Sequence, residues 1–400
     1  MNYPPAPSVA LVFGTRPEAI KLVPLIRALE GDPRFAVRLV VTGQHREMLD
    51  EILKPFGITP HVDLGIMQPG QSLNGIVARA VPLLDRFLTD EKPAMVVIQG
   101  DTTSAFCAAL AAFHRRIPVA HVEAGLRSFD RHHPFPEEAN RRMTSCLADL
   151  HLAPTDRSAA NLRQEGIPED RIVVTGNTVV DALLMALRLP DDAVASVTGP
   201  AAVPALRGDG RMVLITLHRR ENWDAPASDG SGGSVLDGIL GGIRRSAEAH
   251  PSVDFIYPVH LNPGVQAPAR RILGGTSNIH LVAPITYIPF VRLMARATAI
   301  VTDSGGIQEE APTLGVPVFV LRKTTERPEG LAAGTNRLIG TAPADLEREL
   351  GDLLASGPRP PVTIPAPNPF GDGRAAERTR DAMLRFMEAA NAPPKVASAL

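Results

Sequence analysis

Cysteine is almost absent from this chain of 400 residues, which contains only Cys107 and Cys146. Two cysteines in unrelated contexts offer neither a disulfide framework nor the paired spacing of a cysteine metal site. An excess of charge of one sign is also lacking, because 41 Lys and Arg residues face 43 Asp and Glu residues for a net charge of −2. That balance argues against a general nucleic-acid-binding or membrane-binding surface, so any cationic site must be local.

Long hydrophobic runs and targeting signals are missing as well. No stretch approaches the ~20 apolar residues that a membrane-spanning helix needs. Residues 1–8 carry neither the cationic segment nor the apolar core of a secretory signal. Together with the shortage of cysteine, these absences lead us to expect a cytoplasmic protein that is neither secreted nor inserted in a membrane.

Apolar sequence, in contrast, is plentiful at 44% of residues, and a chain this long exceeds what one core usually supports. Short β-branched runs alternate with longer helical patterns, which is typical of βαβ units with parallel sheets. We therefore predict an α/β fold of two Rossmann-like, doubly wound domains. The predicted strands lie near residues 9–13, 37–41, 95–98, 118–121, 150–153, 172–174, 212–216, 254–258, 279–282, 299–302 and 317–320.

Composition also predicts the domain boundaries. An N-terminal Rossmann-like domain spans residues 1–187, and residues 188–210, which are rich in Ala, Pro and Gly, form a linker. A C-terminal Rossmann-like nucleotide-binding domain spans residues 211–373, followed by a C-terminal helix and tail at 374–400. That helix could pack on either domain. The Gly/Ser-rich run 225–234 is interpreted as a loop.

The most informative motif is GTRPEAIK, which directly follows the first predicted strand. Gly14 suits a tight turn, Thr15 a helix N-cap and Pro17 the first helical position, so backbone N–H groups would point at an anion. Arg16 and Lys21 would add two cations. The alternative is an ordinary strand-to-helix connection with solvated charges. A nicotinamide-type fingerprint would need a second and a third glycine that this turn lacks.

Three acidic side chains follow predicted strands of the first half or open the next helix. Asp101 lies in QGDTTS, Glu123 in HVEAGLRS and Glu137 in PEEANRR. Ligands of doubly wound sheets bind outside the carboxyl ends of the strands, so we expect the three carboxylates at one edge. Each alone has a structural explanation, as a helix cap, a buried arginine partner or a first-turn acid. Carboxylates held close together raise one another's pKa, which favours proton-transfer chemistry.

The second half offers candidates for anion binding. Ser304, Gly305 and Gly306 follow a predicted strand and enter a helix, an arrangement that suits a phosphate group. Glu310 could accept hydrogen bonds from ribose hydroxyls or could lie on a solvated helix face. His218, at a strand end in HRREN, could neutralise or protonate a phosphate, with a buried structural histidine as the alternative.

Nine motifs occur in order along the chain: GTRPEAIK, GQHREML, QGDTTS, HVEAGLRS, PEEANRR, HRREN, YPVHLNP, DSGGIQEE and TTERPE. Together they resemble the non-hydrolysing UDP-N-acetylglucosamine 2-epimerases over residues 9–373. The resemblance implies a glycosyltransferase-B-like pair of Rossmann domains with the active site in the cleft between them. It also implies a UDP-sugar substrate, a homodimer, and neither a metal nor a nicotinamide cofactor.

The resemblance further implies roles for individual residues. Asp101, Glu123 and Glu137 match the catalytic carboxylates, with Lys21 and His218 supporting the diphosphate and the developing charge. The matching substrate-binding positions are Arg16, Lys21, Asp101, Glu123, His218, Phe290, Ser304, Gly305, Gly306, Glu310 and Arg327.

Two departures from the family pattern matter. Ile285 stands where a glutamine is expected near the uracil, so we do not expect that side-chain contact here, and backbone groups could still read the base. Members that are activated by a second substrate molecule carry Gln at the position of Glu47 and Arg at the position of Gly70. We therefore do not expect that activation in this chain.

The implied reaction interconverts UDP-N-acetylglucosamine and UDP-N-acetylmannosamine by anti elimination of UDP and re-addition through a 2-acetamidoglucal, since C2 carries no acidic proton. A hydrolysing epimerase that releases N-acetylmannosamine and UDP remains an alternative. So does a 2-epimerase of a modified UDP-sugar such as a 2,3-diacetamido uronic acid. A glycosyltransferase has no need of three carboxylates around C2. A non-catalytic sensor is disfavoured because carboxylates beside a diphosphate cost affinity unless they transfer protons. Bacterial cell-surface polysaccharide is the implied destination of the product.

Overall fold

A computed structural model describes residues 6–43, 46–68, 70–190, 210–219, 234–357 and 368–391. The chain divides into two compact units. Unit 1 comprises Met1–Met185 and Phe370–Leu400, and unit 2 comprises Ala186–Pro369. Unit 2 is therefore inserted, as one continuous segment, into the sequence of unit 1.

Unit 1 is built on a parallel sheet of short, buried apolar strands. The strands are β1 (Ser8–Phe13), β2 (Ala36–Val41), β3 (Val62–Asp63), β4 (Met95–Gln99), β5 (Val119–Val122), β6 (Leu150–Ala153) and β7 (Ile172–Val174). In the described residues their order is β3-β2-β1-β4-β5-β6-β7. The order reverses between β1 and β4, and the crevice beyond the carboxyl ends at such a point is where doubly wound folds bind ligands.

Helices connect these strands, as parallel pairing requires. They are α1 (Arg16–Glu30), α2 (Arg46–Leu53), α3 (Leu73–Glu91), α4 (Thr103–His114), α5 (Glu137–Leu147), α6 (Asp156–Gln164) and α7 (Thr178–Arg188), with 3₁₀ turns at Lys54–Phe56 and Glu169–Arg171.

Unit 2 repeats the scheme around its own apolar core, in which Phe255, Tyr257 and Phe319 are fully buried. Its strands are β8 (Met212–Thr216), β9 (Asp254–Pro258), β10 (Ile279–Val282), β11 (Ala299–Thr302), β12 (Val318–Val320) and β13 (Asn336–Leu338), in the order β10-β9-β8-β11-β12-β13. Its helices are α8 (Val235–Ala249), α9 (Pro263–Leu273), α10 (Tyr287–Arg296), α11 (Gly305–Glu310), α12 (Pro328–Ala332) and α13 (Pro343–Ala355), with a 3₁₀ turn at Ala311–Leu314.

The C-terminal helix α14 (Ala375–Asn391) returns to unit 1, where it packs against α1. Its N-terminus is held by Asp181 on α7, whose carboxylate accepts the N–H groups of Ala375 at 3.2 Å and Ala376 at 2.9 Å. The sequence did not indicate on which of the two domains this helix packs, and the structure places it on unit 1. Among the helices within the described ranges, none combines the length and hydrophobicity needed to span a bilayer.

The prediction of two Rossmann-like, doubly wound α/β units is confirmed, and every predicted strand is present within about one residue of its predicted limits. Two edge strands, β3 and β13, were missed. Within the predicted linker, residues 191–209 lie outside the described residues, and so do residues 225–233 of the Gly/Ser-rich run.

Candidate functional site

Glu18 organises the turn between β1 and α1. Its carboxylate is 1% exposed and accepts the N–H groups of Gly14 at 2.9 Å and Thr15 at 2.7 Å, and the hydroxyl of Thr102 at 2.7 Å. Burial raises the pKa of Glu18, and the hydrogen bonds oppose that shift. Sequence analysis missed this residue, although Thr15-x-x-Glu18 has the spacing of a capping box.

Gly14 is required by close packing. A Cβ atom at this position would lie 2.1 Å from Thr42 Oγ1 and 3.1 Å from Ser104 Oγ. Its φ is not in the left-handed region. The predicted reason for the glycine, conformational freedom in a tight turn, is therefore wrong, and close approach of the backbone to Thr42 replaces it.

The two cations of this turn have different surroundings. Arg16 is exposed and forms no hydrogen bond or ion pair with any residue in the described ranges. Lys21, one helical turn further on, forms an ion pair with Glu123. The sequence predicted that Arg16 and Lys21 both lie beside an anion. Of these two, only Lys21 pairs with a predicted site residue of the described chain, Glu123.

Glu123 follows β5 directly and is surrounded by hydrogen-bond donors. Its Oε1 accepts from Lys21 Nζ and from Asn177 Nδ2 at 3.3 Å, and its Oε2 accepts from Gln99 Nε2. The side chain is 7% exposed, and the backbone adopts a φ of +65°. A non-glycine residue in this region is uncommon and is maintained by its surroundings, often at functional sites.

Asp101 follows β4 through Gly100, whose φ is +74°. Its Oδ2 accepts from the Arg141 guanidinium, at 2.8 Å from Nε and 2.7 Å from Nη2. Asp101 does not cap α4, because the cap is Thr102, whose hydroxyl accepts the N–H of Ala105 at 3.0 Å. The helix-cap explanation for Asp101 is therefore excluded, which leaves a partly exposed carboxylate held by an arginine.

Glu137 is the first residue of α5 and contrasts with its neighbour. Glu138 is fully buried and accepts the N–H groups of Ser128 and Phe129 and a bond from Arg141 Nη1. Glu137 is half-buried and has no hydrogen bond or ion pair with the part of the chain that the structure describes. Glu137 and Arg141 are four residues apart and share one face of α5.

Adjacent strands bring these groups to one edge of the sheet in unit 1. Strands β4 and β5 are paired, and a Cβ atom at Gly100 would lie 3.7 Å from Glu123 Oε2. Asp101 and Glu123 therefore lie on neighbouring turns, and Arg141 links α5 to the same place. We call Lys21, Asp101, Glu123 and Glu137 the carboxylate edge.

In unit 2, Asp303 fixes the loop that carries His218. The carboxylate of Asp303 is fully buried and accepts the N–H groups of His218 at 3.1 Å and Arg219 at 3.0 Å. His218 Nδ1 lies 3.3 Å from Asp303 Oδ1, while the ring remains 45% exposed. Partial burial lowers the pKa of His218, helped by the charges of Arg219 and Arg322 and opposed by Asp303. The exposed imidazole is therefore neutral near pH 7.

The predicted phosphate turn has an arginine lying directly on it. A Cβ atom at Gly305 would be 2.6 Å from Arg327 Nη1, so this glycine lets the guanidinium rest against the backbone. Arg327 Nε donates to Glu309 Oε1 at 2.6 Å. A Cβ atom at Gly306 would be 3.6 Å from Glu310 Oε1, so that carboxylate is at the turn as well. Four predicted residues of unit 2, Gly305, Gly306, Glu310 and Arg327, thus come together.

The remaining predicted residues of unit 2 flank this group. Ser304 is the N-cap residue of α11, and its own N–H donates to Thr302 Oγ1 at 2.9 Å. Phe290 is half-buried in the first turn of α10, and Ile285 is half-buried just before it.

Three arginines surround the carboxylate of Glu326, and the sequence did not indicate this cluster. Arg322 Nη1 lies 2.6 Å, Arg327 Nη1 3.4 Å and Arg219 Nη2 3.6 Å from its carboxylate. Burial alone would raise the pKa of Glu326, but the three cations outweigh it and lower the pKa to about 2. Such an arginine cluster next to a glycine turn suits a diphosphate. No group of three His, Cys, Asp or Glu side chains in the described ranges could hold a metal ion.

Comparisons with known proteins agree on one family. The profile of the UDP-N-acetylglucosamine 2-epimerase family matches residues 27–384. The UDP-N-acetylglucosamine 2-epimerase of Salmonella typhimurium is 48% identical over 382 residues, which cover 94% of this chain and 98% of that protein.

Solved structures give the same result. The crystal structure of the Neisseria meningitidis UDP-GlcNAc 2-epimerase bound to UDP-GlcNAc is 42% identical with a TM-score of 0.82, covering 94% of this chain and 100% of that one. The Methanocaldococcus jannaschii enzyme in complex with UDP-GlcNAc and UDP is 33% identical with a TM-score of 0.73, covering 96% and 99%. This chain therefore belongs to the UDP-N-acetylglucosamine 2-epimerase family.

Proposed function

We propose that the protein interconverts UDP-N-acetylglucosamine and UDP-N-acetylmannosamine without releasing the free sugar. The observation that carries this proposal is the difference among the carboxylates of the carboxylate edge. Glu123 is enclosed by donors, Asp101 is bound by one arginine, and Glu137 has no partner in the described ranges. Carboxylates in unlike environments can divide acid and base roles between them.

The chemistry requires such a division. No carbonyl lies beside C2, so direct removal of its hydrogen as a proton is prohibitively slow. Anti elimination of UDP avoids this barrier: a base removes the C2 hydrogen as the C1–O bond to UDP breaks, which gives 2-acetamidoglucal. Return of UDP to C1, with a proton delivered to the opposite face of C2, gives the manno epimer. Acid and base groups are then needed on both faces of the ring, and we assign them to Asp101, Glu123 and Glu137.

The nucleotide half of the substrate is assigned chiefly to unit 2. Ser304, Gly305, Gly306 and Arg327 hold the diphosphate, and Glu310 accepts from the ribose hydroxyls. Phe290 lies beside the base. His218, neutral and anchored by Asp303, can donate a hydrogen bond to the departing phosphate and stabilise the charge that develops on it.

Arg16 and Lys21 of unit 1 complete the set of cations. In this proposal their charges compensate the diphosphate as it leaves C1, and Lys21 also balances the charge of Glu123. We further propose a cytoplasmic homodimer that supplies cell-surface polysaccharide synthesis, without a metal or nicotinamide cofactor.

A reaction in heavy water tests the mechanism. Incubation with UDP-N-acetylglucosamine should give UDP-N-acetylmannosamine with deuterium at C2, because the proton returned to C2 comes from solvent. Unlabelled product would contradict the elimination route. Accumulation of free UDP and N-acetylmannosamine in step with turnover would instead indicate a hydrolysing epimerase, and a panel of UDP-sugars would reveal a preference for a modified substrate.

A further inference from the structure

Asn177, in the loop between β7 and α7, reaches a carboxylate of the proposed active site. Its Nδ2 donates to Glu123 Oε1 at 3.3 Å, the same oxygen that accepts from Lys21. Asn177 is only 2% exposed. The sequence motifs gave it no role, and its contact with Glu123 joins residues 54 positions apart.

The side-chain oxygen and the backbone N–H of Asn177 are hydrogen-bonded as well. Its Oδ1 accepts the N–H of Val179 at 3.0 Å, in the first turn of α7. Its backbone N–H donates to the carbonyl of Phe370 at 2.8 Å, at the point where the chain re-enters unit 1. A side chain held at its acceptor and at its backbone presents its amide N–H₂ in one direction, which is how a supporting residue keeps a reacting group in place.

We propose that Asn177 is a positioning residue, which holds the Glu123 carboxylate in the orientation needed for proton transfer and acts through Glu123 alone. This inference rests on the proposed epimerase function. The other charged or titratable groups near Glu123 include Lys21 on α1, Asp101 beyond β4 and His121 on β5. Lys21 is charged and Asn177 is neutral, so Asn177 can be changed without removing a charge.

The variant Asn177→Asp tests the proposed contact. It has the same shape, its oxygen still accepts from Val179, and the bond to Phe370 uses the backbone. It replaces the donor facing Glu123 with an anion. We expect a lower melting temperature, because the new carboxylate would be buried beside Glu123, an unchanged UDP affinity, and a fall in kcat on the order of 10- to 100-fold. The acid limb of kcat/KM should move to higher pH, because a neighbouring anion favours protonated Glu123.

Two further variants test the same contact. Asn177→Ser keeps a neutral capping oxygen but is too short to reach Glu123, so kcat should fall with a smaller shift of the acid limb. In a Glu123→Gln background, Asn177→Asp should lower kcat little further, because the effects of substituting residues that act as a unit are not additive. Asp372→Asn is the matched control. This exposed carboxylate lies just before α14 and pairs with Arg378 of that helix, so its removal should leave kcat unchanged.

The inference is overturned if Asn177→Asp retains the wild-type kcat and pH profile. It is also overturned if the reduction in kcat caused by Asn177→Asp is as large in the Glu123→Gln background as in the wild-type protein. A lower melting temperature in both Asn177 variants, with the acid limb unmoved, would show a purely structural role and would overturn it too. Failure of the wild-type protein to interconvert the two UDP-sugars would instead refute the proposed function, before any variant is compared.

Discussion

Asp101 and Glu137 are the two proposed acid–base groups with the simplest surroundings, which makes them the best single tests. Asp101→Asn and Glu137→Gln should each lower kcat by about 10²- to 10⁴-fold, the usual worth of a general acid or base. UDP affinity should persist, because the proposed UDP contacts lie chiefly in unit 2. Steady-state kinetics of epimerisation and calorimetric titration with UDP measure the two effects.

A surface carboxylate provides the control for both variants. Glu169→Gln removes the partner of Arg163, an exposed ion pair of 2.6 Å, and should leave kcat unchanged. Near-normal turnover in Asp101→Asn or Glu137→Gln would remove that residue from the proposed mechanism.

Gly14 offers a second test at this scale, on stability. Gly14→Ala should lower the free energy of unfolding by about 1–3 kcal/mol, because the new methyl group would meet Thr42 Oγ1. Thr42 Oγ1 is buried and has no hydrogen-bond partner in the described ranges, so Thr42→Ala sacrifices no bond. Urea denaturation of the double variant Gly14→Ala/Thr42→Ala should show most of the loss recovered; equal losses in the single and double variants would contradict the packing explanation.

Linear motifs nominate candidate site residues but do not indicate which residues those candidates contact. QGDTTS, HVEAGLRS and PEEANRR nominate Asp101, Glu123 and Glu137, whose roles stay predictions. The arginine that holds Asp101 is 40 positions away. Such pairs are set by which strands and helices become neighbours, and nothing in the local spacing around either residue identifies the other.

Neighbouring strands β5 and β6 place two buried histidines, His121 and His151, in register. Burial lowers the pKa of His121 to about 4 and that of His151 to about 3. His121 Nε2 pairs with the carbonyl of Gly100 at 2.7 Å, and His151 is fully buried. Both rings are therefore neutral in the folded protein near pH 7.

These histidines predict acid sensitivity with a definite sign. Unfolded histidines titrate near pH 6.5, so between pH 6.5 and about 4 the unfolded chain binds more protons than the folded one. Stability is complete above pH 6.5 and should fall by up to about 1.4 kcal/mol per pH unit for each histidine as the pH drops. His151→Leu should weaken this dependence, measured as melting temperature against pH. Exposed His114→Gln is the control, and an unchanged pH dependence in His151→Leu would contradict the assignment.

Strand prediction succeeded in the sheet interiors and failed at two edges. Central strands such as β4 and β8 are continuous apolar runs because helices cover both faces of the sheet. The missed strands are short and less apolar: β3 is Val62–Asp63, and β13 is Asn336–Leu338. An edge strand pairs on one side only, so its backbone can join the sheet without the buried side chains that make a strand visible in sequence.

The order of elements along the chain does not indicate that the C-terminal helix belongs to unit 1. Helix α14 carries an apolar face that any domain could bury, and the sequence does not specify which one. The structure gives it to α1 and to Asp181, a residue 194 positions before Ala375. Burial raises the pKa of Asp181, and the amides of Ala375 and Ala376 oppose that shift. Without α14, this carboxylate would lose its backbone partners.

The two units should therefore differ when each is produced alone. Segment 186–369 is continuous and contains its own core, with Phe255, Tyr257 and Phe319 buried inside it, so we expect it to fold and to unfold cooperatively. It should bind UDP more weakly than the full chain, because the contacts proposed for Arg16 and Lys21 are absent. Segment 1–185 should be stable only when residues 370–391 are added as a peptide, which restores the partners of Asp181 and the cover on α1.

Circular dichroism melts of the separate segments, with and without the peptide, measure the first expectation, and calorimetric titration with UDP measures the second. The full chain is the reference for both. Cooperative folding of segment 1–185 without the peptide would show that α14 is dispensable for unit 1. Complete loss of UDP binding by a folded segment 186–369 would show that the nucleotide is held mainly by Arg16 and Lys21, against the assignment of the diphosphate to Arg327 and the Ser304–Gly306 turn.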